Sequence, residues 1–283
     1  MESSQSVGFS SGAADQATAE AVAREAGELL LTLRESADAR LAPDRLRADG
    51  DRLSHELIMR LLAERCPLDA VLSEEGTDDA ARLDAERVWI VDPLDGTREY
   101  GEYDECGEHK HEHGWRTDWA VHIALWSRGR GLTAGAVAIP GRGEVFGTRA
   151  STASLPSSRT WGAQPLRVAA SRSHPAAIVD ELAAVVDVEL HRMGSAGVKA
   201  MAVVTGEVDA YVHSGGQYEW DSAAPVAVAL AAGCAAHRLD GSPLEYNRAN
   251  PWLPDLVIAA PGVAAELARV VATLPSVERR TVS

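Results

Sequence analysis

From residue 166 onward the chain alternates short apolar runs with helical stretches, and this alternation restricts it to a layered α/β architecture. The runs 166–170, 189–193, 208–212, 236–239 and 256–260 read as strands. The stretches 175–186, 196–205, 221–232 and 261–274 read as helices. In the first half, 16–35 carries Ala19, Val22, Ala26, Leu29, Leu30 and Leu33 at helical spacing, with charge on the other face. Residues 51–65 repeat the pattern through Leu53, Leu57, Leu61 and Leu62. Strands are predicted at 70–72 and 88–91. After a polar insertion they continue at 119–126, 133–139 and 144–147, joined by Gly-rich turns as an antiparallel meander. The Ser/Thr/Pro/Gly stretch 151–164 then separates an N-terminal α+β lobe, 16–160, from a C-terminal α/β lobe, 165–283.

Composition narrows the partners. The 283 residues carry a formal net charge of −15, which argues against nucleic acid or an anionic membrane surface. A phosphate ester remains compatible, because a bound metal ion inverts the local potential. The longest apolar candidate, 223–236, is too short to span a bilayer and reads as a buried helix. Residues 1–15 are Ser/Gly-rich, with neither a basic nor an apolar signal region, and read as a disordered tail. Cys66, Cys106 and Cys234 make no disulfide framework, so a reducing cytoplasm is the default compartment.

The chemistry is concentrated where the strand 88–91 ends, in Asp92-Pro93-Leu94-Asp95-Gly96-Thr97. Pro93 fixes φ and Gly96 tolerates a φ that other residues resist, so a turn here brings two carboxylates and the Leu94 carbonyl into one small volume. Like charges that close repel unless a cation lies between them, and Mg²⁺ prefers oxygen ligands of this kind. Taken alone, the segment also suits a surface turn in which Asp and Gly serve only turn chemistry. Two further acidic sites favour the metal reading. Val71-Leu72-Ser73-Glu74-Glu75-Gly76 is another apolar run ending in carboxylates, and Glu219-Trp220-Asp221-Ser222-Ala223 opens an Ala/Val-rich helix.

The order E-E, D-P-L-D-G-T, W-D-x-A resembles the signature set of the lithium-sensitive, Mg²⁺-dependent phosphomonoesterases of the inositol monophosphatase superfamily. The likeness runs from about Asp51 to about Ile258. Within the superfamily it looks most like the bacterial CysQ group, which acts on 3′-phosphoadenosine 5′-phosphate; residues 192–199 add to that likeness. The resemblance implies an αβαβα sandwich of the inositol monophosphatase/fructose-1,6-bisphosphatase type. It implies two or three Mg²⁺ ions held by Glu74, Asp92, the Leu94 carbonyl, Asp95 and Asp221, with Asp92 bridging. Glu74 and Thr97 would orient the attacking water, and Asp51 would support that water or a third ion. Substrate contacts are implied for Leu94, Asp95, Gly96, Thr97, Gly194, Ser195, Ala196, Lys199 and Asp221. Glu75 has no metal role in this reading. The segment 40–51 departs from the K-x-D-x-S-P-V-T-x-A-D stretch of many relatives, which bears on the third ion. A homodimer is compatible with the resemblance.

Other features carry weaker signals. Asp221 at a helix start suits a carboxylate or a phosphate near unpaired N–H groups, and equally a plain N-cap. Gly194-Ser195-Ala196-Gly197 admits close approach by a phosphate or ribose hydroxyl, or is simply a tight turn into a helix. Lys199 would meet a second phosphate, or lie exposed on its helix. The insertion 100–115, with Glu102, Asp104, Cys106, His109, His111 and His113, edges the site as a lid; a zinc site is less expected there than a solvated loop. His55, His122, His174 and His213 read as packing or hydrogen-bonding residues.

Three functions follow in order. The first is hydrolysis of the 3′-phosphate of adenosine 3′,5′-bisphosphate, and of 3′-phosphoadenylyl sulfate, in sulfur assimilation. The second is an inositol or fructose phosphatase; Ser214 stands where inositol-specific relatives place a Glu, which disfavours it. The third is a catalytically silent metal- or nucleotide-binding protein.

Overall fold

The computed structural model describes residues 7–36, 40–104, 114–149, 160–172 and 176–277. Two long helices, α1 (Val7–Arg34) and α2 (Pro43–Arg65), lead into strands β1 (Ala70–Ser73) and β2 (Arg87–Asp95). A one-turn helix α3 (Thr97–Tyr100) and a small hairpin, β3 (Tyr103–Asp104) with β4 (Gly114–Trp115), precede β5 (Ala120–Ser127), β6 (Gly131–Ile139) and β7 (Glu144–Gly147). The second half runs β8 (Leu166–Ser171), α4 (Ala177–Ala183), β9 (Val188–Met193), α5 (Ala196–Val204), β10 (Ala210–Tyr218), α6 (Glu219–Ala231), β11 (Ala235–His237), β12 (Trp252–Ala259) and α7 (Ala264–Ala272).

The strands form two five-stranded sheets, ordered β1-β2-β5-β6-β7 and β11-β12-β10-β8-β9. β2, β5 and β6 pair antiparallel as the predicted meander, while β1 joins β2 in parallel. α1 and α2 cover one face of the first sheet, and α5 and α6 lie between the two sheets, touching both. The architecture is thus a layered α/β sandwich. A first core joins Ala19, Val22, Leu30 and Ile58 of the outer helices to Trp89, Ile123 and Leu125. A second core is shared by both halves of the chain, from Leu72 and Ile90 through Val198 and Ala224 to Leu256 and Leu267. The expected boundary stretch lies mostly outside the described residues.

Several predicted bounds are corrected. Helix α1 starts at Val7, inside the stretch expected to be a disordered tail, and Asp15 pairs with Arg87 at 2.8 Å. Helix α2 begins at Pro43 rather than at 51. Proline suits a first helical turn, where its missing N–H costs nothing, and the i,i+3 and i,i+4 pairs Asp44–Arg47 and Arg45–Asp49 support that turn. Asp51 therefore lies within a helix. Strand β2 does not stop at Val91: pairing with β5 shifts register after Asp92 and resumes at Asp95, making the predicted turn a bulge. Strand β10 extends to Tyr218 along β12, past a second irregularity between Ser214 and Gln217. Helix α6 opens at Glu219, so Asp221 occupies its third position instead of its cap.

Candidate active site

The bulge in β2 sets the centre. Asp92 is fully buried, and its Oδ1 accepts the Leu94 N–H at 3.0 Å. Its Oδ2 faces no hydrogen-bond donor among the described residues. Gly96 turns the chain with φ +90°, a left-handed conformation that disfavours side chains, and a Cβ there would also crowd Ser195 and Trp119 at 3.3 Å. The turn presents Thr97, whose Oγ1 donates to Asp51 Oδ1 or to the Leu94 carbonyl, each 3.1 Å away. Asp51 reaches it because Gly50 lets α2 come close: a Cβ at Gly50 would sit 2.7 Å from the Tyr100 ring and 3.0 Å from Leu94. Ser54, one turn on, donates to the Pro93 carbonyl at 2.8 Å.

The second half of the molecule closes on this turn. Ser195 Oγ and the Gly197 N–H donate to Asp95 Oδ2 at 2.5 and 2.8 Å. The Gly194–Gly197 turn therefore orients a carboxylate, and Gly194 donates its N–H to Asp118 at 2.7 Å. Ser195 holds φ +51°, and its Oγ also accepts the Val198 N–H. Lys199, expected to be exposed or on a phosphate, is buried and donates to the Gly194 and Ser195 carbonyls at 3.3 and 2.5 Å. Asp221, in the first turn of α6, accepts the Tyr218 N–H at 2.6 Å. The adjacent Glu219 is fully buried and accepts from Asn247 and Arg248 N–H, which fixes the entry to α6. Arg172 spans the halves, donating to Glu99 and Glu102 at 2.7 and 2.8 Å.

The carboxylates raise one another's proton affinity, an electrostatic setting that favours a cation. Burial and the carboxylates of Asp221, Asp95 and Glu75 push Glu74 up to about 7, against a lowering contact with Asp92. Burial, Glu74, Asp95 and Asp221 drive Asp92 well above the usual carboxylate range. Asp221 is pushed to about 6, mainly by burial and Asp95. Asp95 goes the other way, to about 2: burial opposes its charge, but His122, Lys199 and Ser195 outweigh burial. Asp51 is raised to about 6 by burial, partly countered by the Thr97 hydroxyl. An all-oxygen set in which Asp92 and Asp95 are buried, Asp221 is half-buried and Glu74 is open to solvent fits a hard divalent cation. Glu74, Asp92, Asp95, Asp221 and the Leu94 carbonyl would hold it.

His122 is the buried, hydrogen-bonding residue that its sequence context implied, but its place beside Asp95 was not foreseen. It is buried on β5, Nε2 3.2 Å from Asp95 Oδ2 and Nδ1 3.2 Å from the Trp220 carbonyl. Together with Asp92 and Asp95 it forms the tight group of buried potential ligands. In sequence it sits in the apolar run 119–126 and reads as core, and nothing local points to Asp95. The lid insertion lies largely outside the described residues, with only its β3–β4 ends seen. A cavity of 640 Å³ lined by Arg34, Arg40 and Trp115 lies elsewhere and contains none of the carboxylates.

Comparison with known proteins shows the family. Residues 13–276 match the model of the inositol monophosphatase family. The 3′-phosphoadenosine 5′-phosphate phosphatase of Mycobacterium leprae is 49% identical over 269 residues, covering 91% of this chain and 93% of its own. Among solved structures, CysQ from Bacteroides thetaiotaomicron is 27% identical with TM-score 0.69, over 87% of this chain and 96% of its own. Inositol monophosphatase II from Staphylococcus aureus shares the fold at 20% identity and TM-score 0.73, over 93% and 96%.

Proposed function

Since the chain belongs to the inositol monophosphatase family, we propose that it is a Mg²⁺-dependent phosphomonoesterase that removes the 3′-phosphate from adenosine 3′,5′-bisphosphate. The observation that carries the reading is the buried Asp92 carboxylate, whose Oδ2 has no hydrogen-bond partner among the described residues, with His122 Nδ1 no nearer than 3.9 Å, and which is crowded by Glu74, Asp95 and Asp221. The choice of nucleotide follows the name of the mycobacterial relative. 3′-Phosphoadenylyl sulfate carries the same 3′-phosphate and is a second substrate in this reading, which sets the enzyme in sulfur assimilation. Reduced Cys66 and Cys234 suit a cytoplasmic setting.

When bound, Mg²⁺ offsets phosphoryl charge and acidifies a water. The chain supplies the rest. Thr97 Oγ1 orients the attacking water and passes its proton to Asp51, which is ionised above about pH 6. Water oxygen bonds to phosphorus, the bond from phosphorus to O3′ breaks, and O3′ takes a proton from solvent. Ser195, Gly197 and His122 keep Asp95 oriented throughout.

The test is phosphate release, with and without Mg²⁺, from adenosine 3′,5′-bisphosphate, inositol 1-phosphate and fructose 1,6-bisphosphate side by side. The expected result is Mg²⁺-dependent turnover with the nucleotide preferred by kcat/KM. Preference for a sugar phosphate moves the assignment to another branch of the family, and no turnover of any ester defeats it.

A further inference from the structure

Three aromatic rings frame the entry to α6. Tyr218 and Trp220 stack at 4.6 Å between centroids and 8° between planes, and Trp252 meets Tyr218 edge to face at 5.6 Å and 77°. Tyr218 is 42% exposed and Trp252 40%. Among the described residues, the other large hydrophobic side chains this exposed are all aliphatic. These two rings are also held in place. The outer edge of the Trp252 indole packs against Gly216, where an added Cβ would come within 1.6 Å of it, and Gly216 itself has φ +96°. The carbonyl of Gly216 is engaged by His213 Nε2 at 3.0 Å. Strands β10 and β12 pair Tyr218 directly with Trp252. Exposed yet pre-positioned aromatic surface suits stacking a flat partner at little entropic cost.

The place of the rings narrows the partner. The Tyr218 N–H binds the Asp221 carboxylate, and the Trp220 carbonyl meets His122. The rings therefore grow from the same turn that supplies a ligand to the phosphate centre. A surface of two rings is far too small for a stable protein interface, which buries roughly 1,200 Å² or more. A purine attached to a ribose phosphate fits in chemistry: the phosphate occupies the carboxylate centre and the neutral base stacks nearby. Base–aromatic stacking needs no charge, which suits a strongly acidic protein.

The geometry points to the corner formed by Tyr218 and Trp252 as the seat of the substrate's nucleobase, stacked on one ring with its edge toward the other, and so as the residues that select a nucleotide over an inositol or fructose phosphate. This inference rests on the nucleotide reading above and extends it to named residues. Tyr218→Leu and Trp252→Leu raise KM for adenosine 3′,5′-bisphosphate about tenfold, the factor for one stacked base, with a much smaller change in kcat. KM for methyl ribofuranoside 3,5-bisphosphate, the same sugar without a base, stays put. Tyr218→Phe keeps the parent KM. Titration calorimetry gives a second readout on the unmodified protein: with Mg²⁺ present, adenosine 5′-monophosphate binds about tenfold more tightly than ribose 5-phosphate. Equal affinity for these two monophosphates overturns the proposal, whatever the variants do. Equal KM rises for the nucleotide and the base-free ester also overturn it, because they mark a structural role. Failure of the activity reading shows separately, as absence of bisphosphate turnover in the parent enzyme.

Discussion

Thr97 has one proton and two acceptors, Asp51 and the Leu94 carbonyl, and that choice defines its role. If the hydroxyl relays a proton from water to Asp51, Thr97→Ala lowers kcat by roughly 10²–10⁴. Mg²⁺ affinity hardly changes, since the carboxylates hold the ion. Steady-state kinetics at saturating Mg²⁺ with a melting curve checks this; a destabilised but fully active variant removes the relay. The same pair predicts a pH limb. Asp51 must be ionised to accept a proton, so kcat rises with pH as Asp51 ionises and then flattens, the bound cation drawing that limb below the metal-free value of about 6. In Asp51→Asn that limb is lost along with most of the rate. Asp95→Asn removes a ligand charge at constant shape and abolishes turnover while the fold persists; near-normal activity would mean Asp95 is no ligand. That Asp92 and Asp95 lie at one turn was legible from Pro93 and Gly96, whereas Glu74, Thr97 and Asp221 were joined to them through the family resemblance. The place of His122 and the contacts of Ser195 were not legible, because their partner Asp95 lies 100 residues from Ser195 in sequence and meets it only after the halves pack.

At the scale of elements, close approach is what brings α2 to the site. Gly50 leaves no room for a Cβ against Tyr100 and Leu94. Gly50→Ala gains about 1 kcal/mol of helix propensity and loses about 1–3 kcal/mol to overpacking, so the net effect runs from neutral to about 2 kcal/mol destabilising. It also pushes Asp51 away from Thr97 and slows turnover; denaturant melts and kinetics of one variant report both. Gly197→Ala acts similarly on α5, with a Cβ 2.1 Å from His122 Nε2. Element type was legible wherever periodicity was strong: the meander, the alternation in the second half and the long helices. Element ends were not. The start of α2 hides in a polar, Arg-rich stretch whose support comes from side-chain pairs, and the extension of β2 to Asp95 depends on a β5 neighbour that no local signal announces.

Over the whole molecule, the shared core and the Arg172 bridge make the halves one cooperative unit, so heating gives a single transition by two spectroscopic probes; two separated transitions would show independent lobes. The carboxylate centre adds a pH term. Glu74 and Asp221 have folded pKa values of about 7 and about 6, above their unfolded values near ~4. Raised carboxyl values favour the fold while the groups stay protonated, and that contribution is lost as pH rises from about 4 through about 7. The Tm in EDTA therefore falls over this range relative to the Tm in Mg²⁺, and the increment given by Mg²⁺ is larger at pH 8 than at pH 5.5. An increment independent of pH would mean that these carboxylates do not repel in the metal-free protein. The candidate ligands come from chain positions as far apart as Glu74 and Asp221. An ion between them is a removable staple across the long stretch of chain that joins them. Its reach would extend beyond turnover number to survival: with the proposed Mg²⁺ as that ion, a molecule starved of it opens more often, offers its loops to proteases sooner, and has a half-life tied to its metal supply.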